Sequence, residues 1–174
     1  LTPDYYGSLD LPPLKLDLVP ADLEQRFHAK SRLLHPDRFA RASAVEQQAA
    51  LDASSLLNDA YRTLRDPIRR AEYVLKATGF NIGEQGAKDV PGDLLEEVFE
   101  FNMALEEADE DEVAAARQRF VEMRNQIDDR LPKLFAVHDV APDRAILEEL
   151  RSLLNRRRYI ANLISTASGE GIRH

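Results

Sequence analysis

Apolar residues along the chain recur at steps of three and four, not at alternate positions, and this pattern predicts helices almost throughout. Sustained alternation and an Asn-Gly hairpin turn are missing, so no strands are expected. Tyr5, Tyr6 and Leu9 suggest a short first helix, closed by Pro12 and Pro13. Pro20 suits the first turn of a second helix, where its missing N–H costs nothing. Leu23, Phe27 and Leu34 follow at helical spacing, and Pro36 ends that helix. Ser43 and Glu46 have the spacing of a capping box. The third helix they open carries Val45, Ala49, Leu56, Leu57, Ala60, Tyr61 and Leu64 on one face. Asp66-Pro67 stops it, and a short helix from about Ile68 to Ala77 closes on Gly79.

The stretch GFNIGEQGAKDVPG, from Gly79 to Gly92, holds four of the seven glycines and reads as a linker. Three further amphipathic helices follow. One runs from about Asp93 to Ala108. Another begins near Asp111, with Val113, Ala116, Phe120, Met123, Ile127 and Leu131 on one face, and Pro132 is expected to kink or end it. The last starts after Pro142 and carries Ile146, Leu150, Leu153, Ile160 and Ile164; His138 falls in the loop before it. The expected fold is all-α, with an antiparallel helical hairpin in the N-terminal half and a three-helix bundle in the C-terminal half. The expected divisions are 1–78, a linker over 79–92, a bundle over 93–166 and a tail over 167–174.

Charge changes this picture. Residues 1–80 carry 11 acidic and 11 basic groups, and residues 81–174 carry 20 acidic and 12 basic, so the whole net charge of −8 lies in the second half. Nucleic-acid binding is disfavoured, because phosphate neutralisation needs clustered Lys and Arg. With no cysteine there is no disulfide, thiolate metal site or cysteine nucleophile, which suits a reducing cytosol. Neither a membrane-length apolar run nor a secretory leader is visible.

Two stretches carry candidate chemistry. The first is RLLHPDRFA, with Arg26, Lys30 and Arg32 before His35-Pro36-Asp37, and Arg38 and Arg41 after it. It is either a polar helix end or a docking turn with a positive face for an acidic partner. The second is the segment from Asp93 to Ala108. Leu94, Val98, Phe101, Leu105 and Ala108 form one stripe, while Leu95, Phe99 and Met103 form another bordered by Glu96, Glu100 and Glu107. The second stripe is either another buried face of a central helix or an exposed docking patch. A metal site built on His28, His35 and Asp37 is not expected, because Pro36 breaks their helical register and no His-Glu-x-x-His pattern exists. No phosphate loop or nucleophile elbow occurs, so the chain is not expected to be an enzyme, and no cofactor is expected.

The order basic helix, His-Pro-Asp, long helix ending in AYRTLRDPIRRAEY resembles a J domain. DYYGSLDLP, HPDRFA, LRDPIRRAEYVLKATGF and the acidic three-helix segment narrow the resemblance to the HscB family of iron–sulfur co-chaperones, over about Asp4 to Ser165. No Gly/Phe-rich segment of a general J protein follows. The resemblance implies a bacterial, cytoplasmic co-chaperone that binds an IscU-like scaffold and stimulates the ATPase of an HscA-like heat-shock chaperone. It implies that His35, Pro36 and Asp37 contact the chaperone, with Arg26, Lys30, Arg32 and Arg38 adding steering. It implies that the client is held at Leu95, Glu96, Phe99, Glu100, Met103 and Tyr159. Two positions depart from the family pattern: Glu96 is acidic where an apolar residue can occur, and Met103 stands where an acidic one can. A J protein for another client and a non-chaperone helical adaptor remain as alternatives.

Overall fold

The computed structural model describes residues 2–81 and 92–169, the side chain of Asp93 excepted. Most of the expected linker and the end of the expected tail lie outside the described residues. Among those described there is no strand. They form two compact units, Leu1–Phe80 with His138–Ala141, and Asn81–Val137 with Pro142–His174.

The first unit contains α1 (Tyr5–Ser8), α2 (Pro20–Leu33), a 3-10 turn (Pro36–Phe39), α3 (Ala44–Leu64) and α4 (Pro67–Ala77). All the others pack against α3. Phe27, at the middle of α2, stacks on Tyr61 near the end of α3, at 4.2 Å between centroids. At the other end Gln47 of α3 donates to the carbonyls of Phe39 and Ala42, at 3.0 and 3.3 Å. Contacts in that order make α2 and α3 an antiparallel hairpin.

Local chemistry sets the helix ends. The capping box is complete: the Glu46 carboxylate accepts from Ser43 N–H at 2.8 Å, and the Ser43 hydroxyl accepts from Glu46 N–H at 3.3 Å. Asp66 caps α4 through the N–H groups of Ile68 and Arg69. Gly79, at φ +89°, takes the left-handed conformation that closes α4. The buried face of α3 is Ala50, Leu57, Ala60 and Leu64. Val45 and Ala49, expected on that face, are exposed. In the first turn of α3 it is Gln47, not Val45, that faces the preceding Phe39–Ala42 segment.

The second unit contains α5 (Gly92–Glu106), most of α6 (Glu110–Val140) and α7 (Arg144–Ala167). Phe101 of α5 meets Phe120 of α6 edge to face, with centroids 5.4 Å apart and planes at 87°. Arg119 of α6 bridges Glu97 of α5, at 2.8 Å, and Glu112, at 3.2 Å. Arg157 of α7 reaches Asp128 of α6 through two nitrogens, at 2.5 and 3.1 Å. The structure departs from expectation at two residues, Pro132, expected to kink or end the helix, and His138, expected to fall in a loop. Pro132 does not end α6, which runs on to Val140, and His138 is not in a loop but buried on that helix. Leu131 and Phe135 on either side of Pro132 are also buried, so packing outweighs the hydrogen bond that proline removes.

Candidate functional site

Pro36 restricts the residue before it to extended backbone. His35 accordingly sits at φ −61°, ψ 136°, breaks the helix, and starts the 3-10 turn instead of continuing α2. Its Nδ1 accepts from Asp37 N–H at 3.3 Å, which assigns the proton of the neutral ring to Nε2. The Arg38 N–H donates to the His35 carbonyl at 3.0 Å. The backbone of the tripeptide is thus held while the side chains of His35 and Asp37 stay 61% and 91% exposed. Among the described residues the Asp37 carboxylate has only the His35 ring as an ion-pair partner, at 3.5 Å. Chemically this is an exposed carboxylate and a ring N–H offered on a backbone turn held by hydrogen bonds, suited to charge-assisted hydrogen bonding with a partner.

The basic residues differ in availability. Arg26 donates through Nε to Asp22 at 2.9 Å and through Nη1 to the Asp10 carbonyl at 2.7 Å. Lys30 pairs with the Asp10 carboxylate at 2.7 Å. Arg32 and Arg38 are exposed and make no ion pair with the described residues. His28 lies 3.5 Å from Glu24 and not with His35 and Asp37; no group of three possible metal ligands occurs among the described residues.

Beside the turn, Leu34, Pro36, Phe39, Ala40, Gln47, Ala50 and Leu51 line a shallow groove of about 230 Å³. Sequence reasoning missed it. The exposed Leu51, off the main apolar face of α3, was the available signal. Asp10 was missed too, and nothing in its local sequence marks it.

On α5 the two stripes separate. Leu94 and Phe101 are fully buried, and Ala104 joins them in the core. Leu105 and Ala108, expected in that stripe, are exposed; α5 ends at Glu106, and Ala108 turns the chain at φ +52°. Leu95, Phe99 and Met103 are 57%, 66% and 43% exposed. They line up over about 12 Å of helix, with Glu96, Glu100 and Glu107 exposed around them. Of the two readings of this stripe, a second buried face does not hold. Tyr159 lies half-buried on α7, and its ring pairs with no aromatic of the described residues. No described helix is long and apolar enough to cross a membrane.

Residues 90–168 match the family described as the HSCB C-terminal oligomerisation domain. The co-chaperone protein HscB homolog of Burkholderia multivorans is 32% identical over 148 residues, which is 82% of each chain. The human iron-sulfur cluster co-chaperone protein HscB is 30% identical over 164 residues, 93% of this chain and 66% of the relative. The structure of chaperone HscB from Vibrio cholerae superposes with a TM-score of 0.64 at 26% identity, covering 95% of each chain. With a His-Pro-Asp turn at the tip of an antiparallel hairpin, and with these relatives along most of its length, the chain belongs to the HscB family of J-domain co-chaperones.

Proposed function

We propose that the chain binds an IscU-like iron–sulfur scaffold, delivers it to an HscA-like heat-shock chaperone in the cytoplasm, and stimulates that chaperone's ATPase. The client domain is residues 93–166, with the apolar stripe of Leu95, Phe99 and Met103, its acidic border at Glu96 and Glu100, and Tyr159 on α7. The chaperone domain is residues 1–78, acting through His35, Pro36 and Asp37, with Arg26, Lys30, Arg32 and Arg38 contributing charge. The observation that carries the reading is the exposure of Leu95, Phe99 and Met103 on a helix that buries Leu94, Phe101 and Ala104 on its other side. Large side chains left in water within an acidic border are suited to burial by a partner protein.

No proton transfer is asked of the chain. The hydrolysing groups belong to the chaperone, and the turn biases its conformational equilibrium. Tethering raises the client's effective concentration at the chaperone. The test is the steady-state ATPase rate of the HscA-like chaperone with this protein, with the scaffold and with both, using wild type and His35→Gln. Synergistic stimulation that His35→Gln abolishes is the expected result. Stimulation indifferent to scaffold would reassign the client, and no stimulation in any combination would remove the chaperone role.

A further inference from the structure

Asp10 has no part in the function proposed above, yet its geometry is unusual. It follows α1 with φ +51°, a left-handed backbone that only glycine adopts freely and that Asp tolerates better than most residues. Two cations of α2 converge on it. Arg26 holds its carbonyl at 2.7 Å, and Lys30 holds its carboxylate at 2.7 Å. Both cations face the surface expected to meet an acidic partner. The Lys30 side chain is 33% exposed and its ammonium is engaged by the Asp10 carboxylate. Arg26 also donates through Nε to Asp22 at 2.9 Å. Of the cations around the turn, Arg32, Arg38 and Arg41 are left without an anion among the described residues.

We propose that Asp10 is an internal competitor for Lys30, and that it sets the affinity and the salt sensitivity with which the basic face of α2 engages an acidic surface of the chaperone. The carboxylate lowers the local positive potential by one charge and must release Lys30 before that ammonium can pair with a partner's carboxylate. This inference rests on the docking role given to the face above. The backbone function of Asp10 is separate from its charge. Arg26 contacts the carbonyl, which an asparagine retains, and asparagine accepts a left-handed backbone as well as aspartate does.

The experiment titrates Asp10→Asn against wild type in the chaperone ATPase assay at low and high salt, with Asp10→Gly as a second variant whose backbone suits φ +51°. Expected is a fall of about two- to five-fold in the concentration giving half-maximal stimulation at low salt, the scale of one exposed ion pair. The rate at saturation stays the same, and the difference closes at high salt because screening removes it. Lys30→Ala costs more in the Asp10→Asn background than in wild type, since only there is the ammonium released. The proposal is overturned if both Asp10 variants leave the half-maximal concentration unchanged or raise it, or if Lys30→Ala costs the same in both backgrounds. If wild type stimulates and His35→Gln does not, an unchanged Asp10→Asn sinks the masking role alone. No stimulation by wild type overturns the masking and the docking role together.

Discussion

Tyr6 shows what one side chain contributes. Its ring is buried against the first unit's core, and its hydroxyl donates to the Lys15 carbonyl at 2.6 Å. Burial raises its pKa well above the ordinary phenol range, with the Arg70 cation partly offsetting this. The group is protonated in the fold while the unfolded chain ionises near 10. Its contribution is therefore complete below pH about 10 and falls as pH rises toward the folded value. Tyr6→Phe is expected to lose about 1 kcal/mol in urea unfolding near neutral pH and to flatten the alkaline decline. Asp37 is the opposite case. Its side chain is 91% exposed and has only the His35 ring as an ion-pair partner among the described residues, so Asp37→Asn is expected to leave the unfolding free energy in urea within about 0.5 kcal/mol of wild type while ATPase stimulation is lost. A variant that unfolds would assign the carboxylate a structural role.

At the scale of elements, α3, α5 and α6 each support a prediction. The Ser43 hydroxyl and N–H hold the Glu46 carboxyl below its ordinary value. A lowered carboxylate stabilises the fold above the unfolded pKa and loses that contribution as pH falls through the folded one. Glu46→Gln is therefore expected to be less stable than wild type near neutral pH and to converge with it in acid, read by thermal melts across pH. In α6, Pro132 leaves the Asp128 carbonyl without its helical donor. Pro132→Ala restores it and is expected to stabilise the chain by about 1–3 kcal/mol in urea unfolding; a destabilised variant would mean that the packing around residue 132 needs the proline ring. On α5, Phe99→Ala is expected to weaken scaffold binding about tenfold or more by calorimetry, at unchanged helix content. An unchanged affinity would move the client site off this stripe.

For the whole molecule the bridging mechanism makes a demand that neither surface makes alone. His35→Gln is expected to remove all stimulation, with or without scaffold. Phe99→Ala is expected to remove only the extra stimulation that scaffold adds, keeping the basal stimulation by the co-chaperone. Mixing the two variants in one assay is expected not to restore synergy, because client and chaperone must be held by the same chain. Restored synergy in the mixture would show that the two surfaces act independently.

Local signals were legible because they depend on neighbours in the chain. The capping box at Ser43 and Glu46, the left-handed Gly79 and the break at His35-Pro36 follow from backbone donors and fixed torsions within a few residues. So do the helices themselves, since periodicity is a property of the chain alone. Where identical chemistry could serve two ends, the chain could not choose. Both stripes of α5 carry large apolar residues, and the packing of Phe101 against Phe120 is what buries one and leaves the other in water. Val45 has the spacing of a core residue but no neighbour to cover it. Pro132 carries the mark of a helix end, and the packing around Leu131 and Phe135 overrides it. The tie between Asp10 and Lys30 joins residues twenty apart in sequence. Sequence alone determined the helical elements and the turn, because these are set by short-range sterics and hydrogen bonding. Tertiary structure alone decided which faces are wet and which charges are already paired, because burial and ion pairing depend on what the fold brings alongside.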